Sequence, residues 1–314
     1  MVNFNELVSI FLLEYANICY NSHKIKENYM ARTLTKNQEI ERSLLTKYRK
    51  DIWSPFILAI KRYNLIQSGD KIAVCISGGK DSMLLAKLMQ QLQKISDVPF
   101  EIVFLSMNPG YNAKNLKQIQ ENAKLMEIPI QFFDSNIFDV TAKEEKNPCY
   151  LCARMRRGFL YSRAKELGCN KIALGHHKSD VIETTLMSIL YSGQIQGMLP
   201  RVKSTNFEGM ELIRPLYCVL EKDILRWVKA NELKFIACAC RLTEATEEED
   251  GGMVSARKET KRLIEELSKK IPQLEDHIFE STHNVQLDTM VEFKHNDKRY
   301  NFLDNFGEKN FDGK

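Results

Sequence analysis

Apolar positions along this chain follow two periods, and their alternation sets the fold class. Short, mostly apolar runs at 72–76, 100–107, 128–133, 171–174 and 212–216 read as strands. Between them the pattern turns helical. Helices are predicted at 53–63, from Asp81 onward with Met83, Leu84 and Leu88 on one face, at 114–126, from 148 through 167, at 181–191 and at 221–231. In the last of these Leu225 and Val228 are assigned to the apolar side. The breaks fall at Ser68-Gly69-Asp70, at Asn108-Pro109-Gly110, in a polar stretch at 134–148 and at Gly168. Strands alternating with helices imply a parallel sheet with right-handed crossovers. The chain therefore reads as α/β, a parallel sheet of about five strands with helices on both faces, plus helical N- and C-terminal extensions. The expected division is 1–50, a helical extension with interleaved acids and bases, 51–240, the α/β unit, and 241–314. That last part begins with an exposed acidic run, Glu247 to Asp250. It continues with helices at 255–267, capped by Ser255, and at 274–285. From Gln286 it is polar and weakly patterned, and the last dozen residues form a tail.

Composition narrows this picture. The chain has 314 residues, 44% of them apolar, enough for a sizeable core, and a formal net charge of +4, which permits an RNA partner without demanding one. No run approaches the roughly 18 uncharged apolar residues of a membrane span. The first residues lack the basic start and cleavage site of a signal peptide. A cytoplasmic location without membrane contact is expected, so the eight cysteines are not expected to form structural disulfides. They sort instead into core, metal and catalytic positions.

The run 72–76 breaks at Ser77-Gly78-Gly79 and a helix follows from Asp81. Two glycines allow close backbone approach, and a helix N-terminus favours an anion. Ser77 and Ser82 add hydroxyls and Lys80 a charge. Asp81 is out of place beside a phosphate unless it holds a metal or steers a reaction. Neither GxxxxGK[ST] nor GxGxxG is present. The strands carrying Ser77, Ser106 and His176 end on one edge of the sheet, where open α/β sheets bind ligands.

Cys149 and Cys152 form a CxxC pair, which suits a metal, a cluster, a redox dithiol or plain burial. Cys238 and Cys240 lie far downstream. A four-cysteine zinc site would use an unusual CxC spacing, whereas three cysteines on a [4Fe–4S] cluster leave one iron open to chemistry. Cys19, Cys75, Cys169 and Cys218 read as structural. Arg154, Arg156 and Arg157 follow the CxxC, as a solvated face or as phosphate partners.

Together Ser77 to Ser82 (SGGKDS), Pro148 to Gly158 (PCYLCARMRRG), Gly175 to Asp180 (GHHKSD), Ile213 to Leu216 (IRPL) and Cys238 resemble the tRNA 2-thiocytidine synthetase group of PP-loop ATP pyrophosphatases. The resemblance covers roughly 50–290. It implies an ATP-dependent tRNA thiolase that uses Mg²⁺ and a [4Fe–4S] cluster to thiolate C2 of an anticodon-loop cytidine. By position, Ser77, Gly78, Gly79, Lys80, Asp81 and Ser82 become the pyrophosphate cradle. Gly175, His176 and Asp180 enter the ATP pocket, with Ser106 grouped with them. Cys149, Cys152 and Cys238 become cluster ligands, with Cys240 as the alternative third, and Arg214 meets a phosphate or the activated base. Asp81, Asp180 and the three cysteines are the expected catalytic set. The implied partners are tRNA, a sulfur donor (a cysteine desulfurase or free sulfide) and a second copy of the chain in a homodimer.

The sequence departs from the family where Ser179 replaces the first of two acids and where Cys238-Ala-Cys240 replaces a CxxC. The extra CxxC/CxxH pairs of zinc-finger tRNA thiolases are missing. The rival readings are a thiolase of another base (2-thiouridine), a PP-loop amidotransferase or lysidine-type ligase, and a cysteine-rich RNA-binding or redox protein with a vestigial nucleotide site.

Overall fold

The computed structural model describes residues 34–135, 137, 148–236 and 256–305, the side chains of 148–153 and 305 excepted. Cys19, Cys238, Cys240, Ser255, the acidic run from Glu247 and the tail beyond 305 lie outside the described residues.

A six-stranded sheet forms the centre, in the order β3-β2-β1-β4-β6-β5. The strands are β1 (Lys71–Cys75), β2 (Glu101–Asn108), β3 (Ile130–Asp134), β4 (Lys171–Ala173), β5 (Arg201–Lys203) and β6 (Glu211–Ile213). All neighbours pair in parallel except β5, which runs antiparallel to β6 at the edge. The α/β fold with a largely parallel sheet is thus the one expected. The added strand β5 escaped the pattern because it has three residues and only Val202 as an apolar position, itself partly exposed.

The helices are α1 (Lys36–Leu45), α2 (Ser54–Arg62), α3 (Lys80–Ile95), α4 (Ala113–Leu125), α5 (Pro148–Glu166), α6 (Lys178–Ser192), α7 (Glu221–Ala230), α8 (Ala256–Ser268) and α9 (Leu274–Ser281). Strand β1 alternates between the two faces. Ile72, Val74 and Ile76 join the larger core with Leu84, Leu88 and Trp227, while Ala73 and Cys75 face Tyr161 and Ala164 of α5. A strand buried on both faces reads as a continuous apolar run, which is why 72–76 was legible. Ile40 and Leu44 of α1 sit in the same larger core, both fully buried.

Two expectations need correction. Leu225 points outward on α7, 48% exposed, while Ile224 and Trp227 are buried and Val228 packs at the core margin. The weakly patterned stretch after Gln286 contains a hairpin, β7 (Glu292–His295) and β8 (Lys298–Asn301). Its turn places both Asn296 and Asp297 at positive φ, the two-residue geometry that suits strand twist.

Candidate active site

After β1 the chain goes to β2 and β3 on one side, and β4 lies on the other. The switch point between β1 and β4 opens a crevice at the strands' C-terminal ends. Residues 77–82 follow β1 and residues 175–180 follow β4, so both motifs meet there. Gly175 shows how closely. A Cβ on it would sit 3.1 Å from the Asp81 carbonyl carbon and the Ser82 nitrogen. Gly78 holds φ +84°, and a Cβ there would meet Ile119 at 2.5 Å and Ile236 at 2.8 Å.

The loop hydroxyls hold its shape. Ser82 Oγ donates to the Gly79 carbonyl at 2.9 Å and accepts from the Ser77 N–H and Ser77 Oγ, each at 3.2 Å. Tyr111 Oη donates to the Ser77 carbonyl at 3.3 Å. Gly79 caps α3 without a side-chain acceptor, which leaves first-turn N–H groups for an outside anion.

Lys80 does not stand alone. Its Nζ lies 3.1 Å from Asp81 Oδ2 and 3.0 Å from Glu221 Oε1, and Glu221 also meets Lys261 at 2.6 Å. Burial works against the Lys80 ammonium, but Asp81 and Glu221 outweigh it and hold its pKa above the usual value. Burial likewise opposes charge on Glu221, yet Lys261 and Lys80 bring it down to about 2.

The second motif caps α6. The Asp180 N–H donates to His177 Nδ1 at 3.2 Å, and the His177 N–H donates to Asp180 Oδ2 at 2.9 Å. The other ring nitrogen, Nε2, faces Asp81 Oδ1 at 3.8 Å. Asp81 Oδ1 is itself buried without a hydrogen-bond partner. Such an oxygen invites a cation. Ser179, in place of an acid, accepts the Glu221 N–H at 3.2 Å and so ties the start of α7 to this loop.

Of these residues Ser77, Asp81, Ser82, Tyr111, Gly175 and Asp180 line a cavity of about 280 Å³ together with Met107, Arg156 and Leu160, while Gly78, Gly79, Lys80, His177 and Glu221 stand outside its lining. Arg156 and Leu160 come from α5, the helix that begins with the CxxC. The backbone positions of Cys152 and Cys149 lie one and two turns before Arg156, about 6 and 10 Å along the axis. His176 lines the cavity with a buried, unpartnered Nδ1. Burial, with Arg214 adding to it, lowers its pKa to about 4, so it is neutral at pH 7. Arg214 donates to the Leu199 carbonyl and keeps a buried Nε without a hydrogen-bond partner. Burial lowers its pKa too.

The structure thus brings together Ser77, Asp81, Ser82, Gly175, His176 and Asp180 on one wall. Ser106 is not among the lining residues; it is fully buried in β2 with no hydrogen-bond partner for its hydroxyl. Cys238 and Cys240 are outside the described residues. Among the described residues no group of three His, Cys, Asp or Glu is placed to hold a metal ion. Sequence reasoning missed three participants. Glu221 holds both Lys80 and Lys261, and Arg257 of α8 reaches Asp180 Oδ1 at 2.9 Å and Glu183 Oε2 at 2.7 Å. No local pattern links residue 257 to residue 180. Only the exposed charged face of α8 hinted at an ionic role.

Known proteins share the family and the fold of this chain. The family model described as PP-loop domain matches residues 37–240. A tRNA-cytidine(32) 2-sulfurtransferase of Neisseria meningitidis serogroup C is 37% identical over 207 residues, which are 64% of this chain and 63% of that relative. The chain therefore spans just under two thirds of that relative's length. The enzyme of the same name from Aliivibrio fischeri strain MJ11 is 32% identical over 263 residues, 83% of this chain and 82% of the relative. Among solved structures, a U34-tRNA thiolase from Methanococcus maripaludis with its [4Fe-4S] cluster shares the fold. Its TM-score is 0.57 at 21% identity, covering 74% of this chain and 79% of that one.

Proposed function

The chain belongs to the PP-loop family, and on that premise we propose that it is an ATP-dependent tRNA sulfurtransferase acting on C2 of a cytidine in the anticodon loop. One observation carries the reading. The helix that begins with Cys149 and Cys152 supplies Arg156 and Leu160 to the same cavity that the SGGKDS loop closes from the other side. The glycine loop and the helix that carries the CxxC therefore border one cavity.

The chemistry needs both. The C2 oxygen of cytidine is a poor leaving group. It attacks the α-phosphate of ATP, a P–O bond to pyrophosphate breaks, and the base is left activated as an adenylate. The loop amides of α3 take the departing pyrophosphate, and glycine at 78 and 175 lets the loop pack closely on Ile119 and on the residues after β4. Asp81 Oδ1, buried and unpartnered, is the group that would hold Mg²⁺ against that charge. Lys80, fixed by Glu221, steadies the loop. Arg156 and Arg214 offset the remaining phosphate charge. Neutral His176 offers a hydrogen bond without adding a cation. Hydrosulfide, free or released from a desulfurase persulfide by a reducing thiol, then attacks C2, and AMP leaves with the oxygen. Cys149 and Cys152, with Cys238 or Cys240, would form the donor set for a [4Fe–4S] cluster, which would supply an iron open to sulfur. The reaction takes place on tRNA in the cytoplasm, and among the described residues no helix is long and apolar enough to cross a membrane.

The test is nucleoside mass spectrometry of tRNA from cells lacking the gene. Loss of 2-thiocytidine is expected. Loss of a thiouridine would move the target to another base, and an unchanged set of thiolated nucleosides would reject the activity. Anaerobically purified protein should be brown, with about four irons per chain, and Cys149→Ala should be colourless.

A further inference from the structure

Helix α7 starts at the active site and leaves it. Its first residue, Glu221, touches Lys80, and the helix then runs down the side of the fold. Ile224 and Trp227 bury its inner face. On the outer face Lys222, Leu225, Arg226 and Lys229 stand at i, i+3, i+4 and i+7, so they form one stripe. From Lys222 to Lys229 the rise is about 10 Å. At the far end the stripe opens into a groove of about 540 Å³ lined by Lys47, Tyr48, Asp51, Arg226, Lys229 and Ala230.

We propose that this stripe and groove are a docking track for the phosphate backbone of the tRNA substrate, an inference that rests on the tRNA reading above. Charge decides the kind of partner. Asp51 and Asp223 compensate Arg226, and Glu275 pairs with Lys222 at 3.0 Å. Among the described residues no carboxylate lies within ion-pair distance of Lys47 or Lys229, so the groove keeps uncompensated positive charge. Lys47 lies over the Tyr48 ring, 5.4 Å from its centroid, at the groove's edge. An acidic protein partner would want an apolar, desolvated centre. Leu225, 48% exposed, is the single large apolar side chain in the stripe. An RNA backbone needs spaced cations and no apolar anchor. The track also starts where the reaction occurs, so RNA bound along it stays beside the cavity.

The experiment measures tRNA binding by the intact protein across a salt series, for the wild type, K47Q/K229Q and K47Q/K222Q/K229Q. None of these lysines lines the nucleotide cavity, so ATP binding serves as a control for folding and is expected to be unchanged. Each lysine removed should lower the slope of log K against log salt by about one, and the triple variant should bind tRNA at least about tenfold more weakly at low salt. If the wild type binds tRNA and the variants match its affinity and slope, the track is rejected while the enzyme reading stands. Absence of tRNA binding by the wild type would instead remove the enzyme reading itself. Should the variants keep tRNA affinity but lose capture of a purified acidic sulfur-carrier protein, the occupant is a protein and the RNA assignment fails.

Discussion

At Gly78 backbone conformation and packing forbid a side chain together. Its φ of +84° disfavours any L-residue by about 1–2 kcal/mol. The Cβ would also press into Ile119 and Ile236, at about 1–3 kcal/mol of overpacking. Gly78→Ala should therefore lower stability by about 2–5 kcal/mol in urea unfolding and weaken nucleotide binding with it. Gly175 differs, because a Cβ there meets main chain that cannot swing aside. His176 gives the residue-scale pH effect. It binds its proton at about 4 when folded, driven by burial and then by Arg214, and near 6.5 when unfolded. Between these values the unfolded chain carries more protons, so stability rises with pH. The contribution is complete above about 6.5 and is lost as pH falls toward 4. For this group alone the loss from pH 7 to pH 5 is about 2 kcal/mol. His176→Gln should flatten that part of the pH–stability curve, and an unaltered slope would mean the ring is free to protonate in the folded state.

Elements show how far sequence patterning reaches. Strand β1 was legible because both faces are buried and its apolar run is continuous, and β2 because only Glu101 and Ser106 interrupt the apolar run at 100–107. Helix α7 was legible as a helix but not in its orientation. Leu225 seemed core by type, yet Trp227 and Ile224 claim the buried arc, and the exposed positions went to Lys222, Arg226 and Lys229. The hairpin β7–β8 was invisible because its faces are largely exposed and carry no alternation. The site loops were legible by motif, since glycine, serine and acid spacing survives where hydrophobic period does not. What motif could not give is the way one element holds another. Glu221, at the head of α7, anchors Lys80 of α3 and Lys261 of α8, and its side chain is only 18% exposed. Glu221→Gln would leave two lysines without their shared carboxylate. A fully buried pair broken this way costs about 3–5 kcal/mol, and partial solvent access brings the expected loss to about 2 kcal/mol. Urea unfolding at pH 7 reads this directly. The difference from wild type should shrink as pH falls below about 4.5, because the carboxylate's contribution is present above its unfolded pKa and fades toward about 2.

At the scale of the whole molecule, α8 and α9 lie across α6 and close the site from far along the chain. Ile264 and Phe279 seat them in the larger core, and ion pairs fix their polar faces: Lys178 to Asp276, Lys222 to Glu275, Lys261 to Glu221, and Arg257 to Asp180 and Glu183. Exposed pairs among these contribute little to stability, so their value lies in where they place charge. Arg257 is the informative one. Its guanidinium bridges Asp180, which lines the cavity and caps α6, and Glu183, whose side chain is 8% exposed. Without it two carboxylates would face the rim of a site proposed to receive a polyphosphate, and the repulsion would fall on the ligand. Arg257→Ala should therefore weaken binding of ATP with Mg²⁺ about tenfold while changing stability by only about 1 kcal/mol. Arg257→Lys keeps the charge but not the two-armed geometry and should recover part of the affinity. Calorimetric titration separates the cases. If Arg257→Ala binds ATP as tightly as the wild type, α8 braces the fold and has no part in the nucleotide site. If affinity falls and the lysine variant restores some of it, a residue some 180 positions beyond the glycine loop sets the charge that the loop's ligand meets.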